Sequence, residues 1–150
     1  MAEVKVQIKR VRHGKASVPL PRYMTGGSAG MDLAAAMEGE VVLAPMERAL
    51  IPAGFALALP AGYEAQIRPR SGLALKQGVT LVNSPGTIDS DYRGEVQLAM
   101  INLGTEPVAI RHGDRIAQMV VQPVPRVRLE EVEELPASAR DAGGFGHTSK

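Results

Sequence analysis

The sequence predicts an all-β fold of the sandwich, jelly-roll or barrel type. Apolar residues recur at every second position in three separate segments, which is the pattern of half-buried strands. These residues are Val4, Val6 and Ile8; Phe55, Leu57 and Leu59; and Val96, Leu98 and Met100. Groups rich in Gly and Pro, such as Pro52 to Gly54 and Ser84 to Gly86, interrupt the apolar segments at short intervals. Short strands broken this regularly are typical of a two-layered or closed β domain.

One segment has the features of a helix. Ser71 to Gln77 follows Pro69 and ends before Gly78, and Pro and Gly are common residues at the two boundaries of a helix. We expect Ser71 to be the N-cap, with Arg70 and the first N–H groups of the helix facing an anion. A plain cap beside a surface Arg explains the same pattern equally well.

The composition excludes several functional classes. A chain of 150 residues forms one domain of common size, and a net charge of +1 lacks the basic excess of nucleic-acid binders. Zero cysteines exclude disulfides, thiolate nucleophiles and Cys-based metal sites. Twelve of the 17 cationic residues are Arg, whose planar guanidinium suits phosphate oxygens. The sequence contains neither a signal peptide nor an apolar membrane span, so we expect a cytoplasmic protein that binds neither nucleic acid nor membrane.

The segment from Asn83 to Glu95 is the strongest candidate for chemistry. It concentrates carboxylates, an amide, hydroxyls and Tyr92 between two apolar segments that read as strands, Val79 to Val82 and Val96 to Ile101. Ser84-Pro-Gly and Gly94 are turn-formers, so the segment is interpreted as a β-hairpin whose backbone groups can face a ligand. The alternative is an ordinary polar hairpin that uses Asn, Asp and Gly for turn geometry alone.

Two further segments carry usable chemistry. Gly113 to Val120 reads as a turn leading into an apolar strand, where Gln118 needs a partner if it is buried and otherwise faces solvent. The tail from Asp141 to Thr148 is rich in Gly and contains Phe145. It is a disordered end, a segment that docks on a neighbour, or a mobile arm that brings Arg140 and Phe145 over a planar anionic ligand.

Taken in order, five segments resemble the five motifs of the homotrimeric dUTPases (dUTP pyrophosphatases), across nearly the whole chain. Motifs 1 to 5 read Ala29-Gly-Met-Asp-Leu-Ala34, Pro69-Arg-Ser-Gly-Leu-Ala74, Asn83 to Glu95, Gly113-Asp-Arg-Ile-Ala-Gln118 and Arg140-Asp-Ala-Gly-Gly-Phe-Gly146. Each motif alone is weak, but five in the right order are specific. One departure is His147, where many members of the family have Ser, although Thr148 keeps a hydroxyl nearby.

The resemblance implies an architecture and a reaction. The fold is a β jelly roll of the β-clip type that forms a homotrimer, with residues 1–138 as the domain. Residues 139–150 form a C-terminal arm that closes over a neighbouring subunit's active site. The reaction is hydrolysis of dUTP to dUMP and pyrophosphate, assisted by Mg²⁺ bound mainly through the triphosphate. This activity keeps uracil out of DNA and supplies dUMP for dTMP synthesis.

The resemblance also implies a role for individual residues. Asp89 activates the water that attacks the α-phosphorus, and Asp32 holds Mg²⁺ through water. Arg70, Ser71 and Gln118 complete the catalytic set by stabilising charge on the phosphates. The substrate-binding residues are Arg70, Ser71, Gly72, Asn83, Thr87, Ile88, Asp89, Tyr92, Gln97, Gln118, Arg140, Phe145 and Gly146. Among these, the main chain of motif 3 and Asn83 bind uracil, Tyr92 packs on the deoxyribose, Arg140 contacts the γ-phosphate and Phe145 caps the base.

Three other functions are compatible with parts of the pattern. A dCTP deaminase of the same fold uses a different loop in place of Thr87 to Tyr92, and ammonia release would identify it. A regulatory protein that kept the fold and lost the reaction would more often show damage at Asp89, Arg70 or Phe145, and these residues are intact. A structural trimeric β module leaves the arm and the carboxylates of motif 3 without a role.

Overall fold

The computed structural model describes residues 3–148, and they form antiparallel β-sheets with one short α-helix. The strands are β1 (Gln7–Arg10), β2 (Met31–Ala34), β3 (Glu40–Leu43), β4 (Arg48–Ala58), β5 (Tyr63–Pro69), β6 (Val79–Leu81), β7 (Gly86–Ile88), β8 (Glu95–Asn102), β9 (Val108–Arg111) and β10 (Arg115–Pro123). The helix α1 spans Ser71–Gln77. Residues 1 and 2, at the start of the predicted domain, and residues 149 and 150, at the end of the predicted arm, lie outside the described residues.

The strands form two four-stranded sheets and one two-stranded sheet. The first sheet has the order β1-β4-β8-β6, the second has the order β2-β10-β5-β7, and β3 pairs with β9. One aliphatic core joins the two large sheets, with Leu98 and Met100 from the first and Leu33 and Met119 from the second. This eight-stranded, two-layered arrangement confirms the all-β jelly-roll prediction.

Burial along the predicted strands follows the period of two only in part. In β8, Val96, Leu98 and Met100 are buried while Gln97 is exposed, as the alternation predicts. In β4 every residue from Ala53 to Leu57 is buried, so the expectation of a half-buried strand is wrong there. The cause is a register shift between Pro52 and Ala56, because a bulge interrupts the alternation of side chains between faces. The first strand begins at Gln7, so Val4 and Val6 precede it.

Motif 3 is not the simple hairpin that its turn residues predict. Its flanking strands β6 and β8 do pair antiparallel, with Leu81 opposite Met100. Between them, however, Gly86 to Ile88 leaves the first sheet and forms β7, which pairs with β5 in the second sheet. The buried side chain of Ile88 explains the change of sheet, because it joins the core between the layers. Motif 3 therefore links the two layers.

The helix matches its predicted bounds but not its predicted cap. Arg70 is the N-cap residue, with extended backbone angles, and Ser71 is the first residue inside the helix. No side chain caps this end, so the expectation that Ser71 is the N-cap is wrong by one position. At the other end Gly78 has φ of 70°, a left-handed conformation that Gly adopts without strain.

After β10 the chain runs without regular secondary structure through residue 148. Its large apolar side chains are exposed, and Leu129 and Phe145 are the most exposed among them. Within residues 3–148, no helix has both the length and the apolar character needed to cross a membrane.

Candidate active site

Motifs 1, 2 and 4 meet at one end of the second sheet. Strand β10, which carries Gln118, lies between β2 and β5. Gln118 is in register with Asp32 on β2 and with Arg68 on β5. Helix α1 starts directly after β5, which brings Arg70 to the same end. We call the side chains of Asp32, Arg70, Arg115 and Gln118 the Asp32 cluster.

Ion pairs organise the Asp32 cluster. Arg115 Nη1 donates to Asp32 Oδ2 at 3.0 Å, and Arg70 Nε lies 3.6 Å from Asp32 Oδ1. Arg70 Nη1 also donates to the main-chain carbonyl of Arg115 at 2.8 Å. Two guanidinium groups thus share one carboxylate, and the local excess of positive charge suits an anionic ligand. Arg115 belongs to motif 4 but was not among the predicted site residues, since nothing in the sequence places it beside Asp32.

Gln118 is half-buried and is fixed by neighbouring motifs. Its Nε2 donates to the carbonyl of Pro69 at 3.0 Å, so the alternative in which it simply faces solvent is wrong. A Cβ added to Gly30 would lie 2.7 Å from Gln118 Oε1, and Gly30 therefore leaves the space that this amide occupies. Ser71 and Gly72 lie beside the cluster at the start of α1 and are exposed.

Motif 3 presents its candidate residues on the outer edge of the second sheet. Strand β7 is the last strand of that sheet, so one of its sides is paired with β5 and the other carries no strand among the described residues. Thr87, Asp89 and Asn83 are exposed, whereas Ile88 is buried. An edge of this kind offers main-chain N–H and C=O groups to a ligand.

The end of motif 3 is held by Glu95. Tyr92 Oη donates to the Glu95 main-chain carbonyl at 3.0 Å, and Gln97 Nε2 donates to Glu95 Oε1 at 3.2 Å. Arg12 binds the same carboxylate through two nitrogens, with Nη2–Oε1 2.7 Å and Nε–Oε2 2.9 Å. This hydrogen-bonded ion pair raises the pKa of the Arg12 guanidinium above its ordinary value. Arg12 was not among the predicted site residues, because it lies 83 residues from Glu95 in the chain.

Within one chain, Asp89 lies far from the Asp32 cluster. Ile88 is opposite Ala65 near the start of β5, whereas Pro69 and Arg70 lie at the end of that strand. At about 3.3 Å per strand residue, the two places are roughly 15–20 Å apart. Around Asp89 lie Tyr63, Glu64 and the chain after β10. The predicted base and the predicted phosphate-binding residues therefore do not come together within one chain.

The C-terminal arm forms a third, separate part. Its hydrogen bonds are local, as between Arg140 Nε and the Gly143 carbonyl at 2.6 Å and between the Asp141 amide and Ser138 Oγ at 3.0 Å. Phe145 is exposed and has φ of 42°, while Gly146 has φ of 95°. Neither Arg140 nor Phe145 is brought to Asp89 or to the Asp32 cluster.

The one carboxylate of the Asp32 cluster fits a metal ion whose other ligands are water and substrate phosphates. Among residues 3–148, no group of three or more His, Asp or Glu side chains could hold a metal ion. Asp32 is 18% exposed, and both of its oxygens already face guanidinium groups. Mg²⁺ keeps several of its waters and commonly uses substrate phosphates with one or two carboxylates. The single carboxylate of Asp32 is compatible with that mode.

A second hydrogen-bonded carboxylate lies at the Asp89 end of the second sheet. Glu64 Oε1 accepts bonds from Gln122 Nε2 and Gln66 Nε2, both at 2.8 Å. These bonds, and after them the charge of Arg68, lower the pKa of Glu64 below its ordinary value.

The chain is similar to known proteins over nearly its whole length. The dUTPase family model matches residues 16–149. The chain is 55% identical to the deoxyuridine 5'-triphosphate nucleotidohydrolase of Wolbachia pipientis subsp. Culex pipiens, over 99% of this chain and 97% of that protein. It is 57% identical to the protein of the same name from Caldanaerobacter subterraneus subsp. tengcongensis, over 95% of this chain and 96% of that one.

Solved structures show the same fold. The dUTPase of Staphylococcus bacteriophage 80alpha, solved with dUPNHPP, superposes with a TM-score of 0.87 at 26% identity, covering 97% of this chain and 99% of that one. The match of a family model to most of the chain, together with relatives above 50% identity, is decisive. The chain belongs to the dUTPase family.

Proposed function

We propose that this protein hydrolyses dUTP to dUMP and pyrophosphate in active sites shared between the subunits of a homotrimer. The observation that carries the proposal is the separation of the motifs within one chain of a dUTPase family member. The Asp32 cluster, the outer edge of β7 and the arm each have the chemistry of one part of the site. Since Asp89 lies roughly 15–20 Å from Arg70 along β5, a complete site needs a neighbour's residues.

Uracil would bind along the outer edge of β7. Thr87 and Ile88 offer main-chain groups there, and the Asn83 amide lies beside Gly86, where an added Cβ would be 3.2 Å from Asn83 Nδ2. Backbone donors and acceptors in fixed positions reject cytosine, because its exchanged groups would leave buried partners unpaired. Gln97 follows on β8 and would contact the pyrimidine. Tyr92 would pack on the deoxyribose and exclude a 2′-hydroxyl.

The phosphates would lie against a neighbouring subunit's Asp32 cluster. Arg70, Ser71 and the Gly72 amide would bind phosphate oxygens at the start of α1, with Gln118 near the α-phosphate. Asp32 would hold Mg²⁺ through its waters, which fits a carboxylate already shared by two Arg side chains. When bound, Mg²⁺ would neutralise charge on the triphosphate oxygens.

Asp89 would act as the general base. Its exposed carboxylate can accept a proton from a water that is in line with the α-phosphorus, and pyrophosphate would leave toward Ser71. The arm of the remaining subunit would close the site, with Arg140 on the γ-phosphate and Phe145 on the face of the uracil. Gly146 would supply the left-handed turn next to Phe145. In the cell this reaction would keep uracil out of DNA and provide dUMP for dTMP synthesis.

Pyrophosphate release from dUTP in the presence of Mg²⁺, beside dTTP, dCTP and UTP, tests the proposal. We expect rapid turnover of dUTP alone, from a trimer in solution. Ammonia release from dCTP would identify a deaminase instead. Binding of dUTP without cleavage would identify a regulatory protein, and either outcome would overturn the proposal.

A further inference from the structure

The Arg12–Glu95 pair lies beside the proposed sugar and base contacts, although Arg12 belongs to none of the five motifs. Arg12 follows β1 and Glu95 opens β8, so the pair connects the N-terminal segment to the last residue of motif 3. Glu95 is well covered, with 14% of its side chain exposed, against 42% for Arg12. A two-point guanidinium–carboxylate contact fixes orientation as well as distance.

Glu95 needs this support because the sheet is irregular where β8 begins. Glu95 pairs with Ala56, but the next pair is Gln97 with Pro52, so three residues of β4 lie opposite one residue of β8 between these pairs. A bulge interrupts the ladder of hydrogen bonds that otherwise fixes a strand. The side-chain pair therefore adds a fixed contact at the point where the backbone ladder is interrupted.

Arg12 is itself anchored on that bulge. The Val11 amide donates to the Gly54 carbonyl at 2.9 Å. Gly54 has φ of 85°, and a Cβ added there would lie 2.7 Å from the Ala36 Cβ and 3.7 Å from the Arg12 Cβ. Gly54 thus permits the bulge and the close approach of Ala36, and its distance from the Arg12 side chain is that of an ordinary van der Waals contact. The main chain beside Arg12 is therefore fixed, and this fixes the direction from which its side chain reaches Glu95.

Two side chains of the proposed nucleotide site are bonded to Glu95. The Tyr92 hydroxyl donates to its main-chain carbonyl, and Gln97 donates to its carboxylate. The Tyr92 ring is 45% exposed and rests over Gly94, where an added Cβ would lie 2.4 Å from Tyr92 Oη. The Tyr92 hydroxyl is bonded to the Glu95 carbonyl, so the position of the ring depends on where that carbonyl lies.

We propose that Arg12 is a positioning residue for sugar discrimination: through Glu95 it fixes the Tyr92 ring against the deoxyribose. This inference rests on the proposed function. It predicts that loosening the pair lets the ring retreat and admits a 2′-hydroxyl, so that UTP becomes a better substrate relative to dUTP.

The test measures kcat/KM for dUTP and for UTP in wild type, Arg12→Gln and Arg12→Lys. We expect the dUTP:UTP ratio to fall about tenfold in Arg12→Gln, equivalent to about 1.4 kcal/mol of discrimination. Arg12→Lys keeps the charge but loses the two-point contact, so it should recover only part of the ratio. A ratio that stays at the wild-type value while both substrates slow together would overturn the inference, because a purely structural role acts on both equally.

Glu95→Gln and Glu40→Gln form a matched pair of variants that also serves if Arg12→Gln folds poorly. Glu40 makes an ion pair with Arg111 through one contact, Nε–Oε2 3.0 Å, in the β3–β9 sheet, where both side chains are more exposed than those of Arg12 and Glu95. We expect Glu95→Gln to lower the ratio and Glu40→Gln to leave it unchanged. Equal effects of the two variants would contradict the proposal.

A double-mutant cycle tests whether Arg12 acts through Tyr92. Tyr92→Phe removes the hydroxyl that binds the Glu95 carbonyl, and adding Arg12→Gln to it should change the ratio little further, since both changes release the same ring. Additive effects would contradict this route. If wild type does not hydrolyse dUTP, the proposed function fails; if it does and the ratios do not move, only the role of Arg12 fails.

Discussion

The Asp32 cluster and motif 3 differ in how far one chain completes them. In the cluster, three motifs meet, and Asp32, Arg70, Arg115 and Gln118 contact one another or nearby main chain. In motif 3, Asn83 and Asp89 are exposed before and after the edge strand β7, and Asp89 lies well away from that cluster. The contacts of the proposed phosphate site are already in place within one chain. In the proposed function, uracil and the water-activating Asp89 would meet that site only across a subunit boundary.

The largest effect on turnover should come from motif 3, whose candidate residues are exposed. Asp89→Asn removes the proposed general base without changing the shape of the side chain, and we expect kcat to fall by about 10³-fold. Binding of a non-hydrolysable dUTP analogue, measured by calorimetry, should stay within a few-fold of wild type.

Asp91→Asn is the matched control for Asp89, since it removes another exposed carboxylate two residues away. It should change kcat far less than Asp89→Asn does. Near-normal turnover of Asp89→Asn would exclude Asp89 as the base.

Arg70→Ala disrupts the Asp32 cluster. It removes a proposed phosphate contact and leaves Asp32 with Arg115 alone, so we expect kcat/KM for dUTP to fall by about 10²-fold. Lys76→Ala, which removes a cation from the last turn of the same helix, should have little effect on the same steady-state measurement. Similar losses in both variants would show that general positive charge, not the geometry around Asp32, binds the phosphates.

Removal of residues 139–150 should lower dUTP turnover far more than thermal stability. The hydrogen bonds of the arm are local, so the midpoint of thermal unfolding should change by at most a few degrees. Turnover of dUTP should fall by about 10²-fold, because Arg140 and Phe145 would no longer close the site. A large drop in the unfolding midpoint would instead assign the arm a structural role.

The smallest effect concerns Glu64, at the Asp89 end of the second sheet. Its pKa in the folded state is lowered by bonds from Gln122 and Gln66. The ionised group therefore stabilises the fold above its ordinary pKa of 4.5, and this contribution is lost as pH falls through the lower folded value. Wild type should exceed Glu64→Gln in thermal stability at pH 7, and the gap should narrow as the pH falls below 4.5. A gap independent of pH would contradict the linkage.

Most of the fold was predictable from local pattern. The alternation of Val96, Leu98 and Met100 predicted β8, and Pro69 with Gly78 predicted α1, because periodicity and helix boundaries are local properties. The change of sheet at β7 was not predictable from turn residues, since it depends on Ile88 reaching a core formed by distant strands. The bulge in β4 was missed for a similar reason, because its register is set by β8.

Which candidate residues lie together was predictable only in part. The resemblance of the motifs to those of the dUTPases pointed to Asp32, Arg70 and Gln118, and the structure brings these side chains together, while their roles stay predictions. Arg115 and Arg12 were missed, since their partners Asp32 and Glu95 lie 83 residues away in the chain in both cases. Contacts at that separation are set by sheet topology, which the sequence pattern alone left open between sandwich, jelly roll and barrel.

Complementation between two inactive variants tests the shared site most directly. Asp89→Asn and Arg70→Ala are mixed as unfolded chains in equal amounts and refolded together, and dUTP turnover is compared with each variant refolded alone. If Asp89 of one subunit works with Arg70 of another, random assembly makes about a quarter of the sites fully wild type, and about a quarter of the activity should return. Activity no higher than the average of the two variants alone would contradict the account, because it would mean that each site takes both residues from one chain.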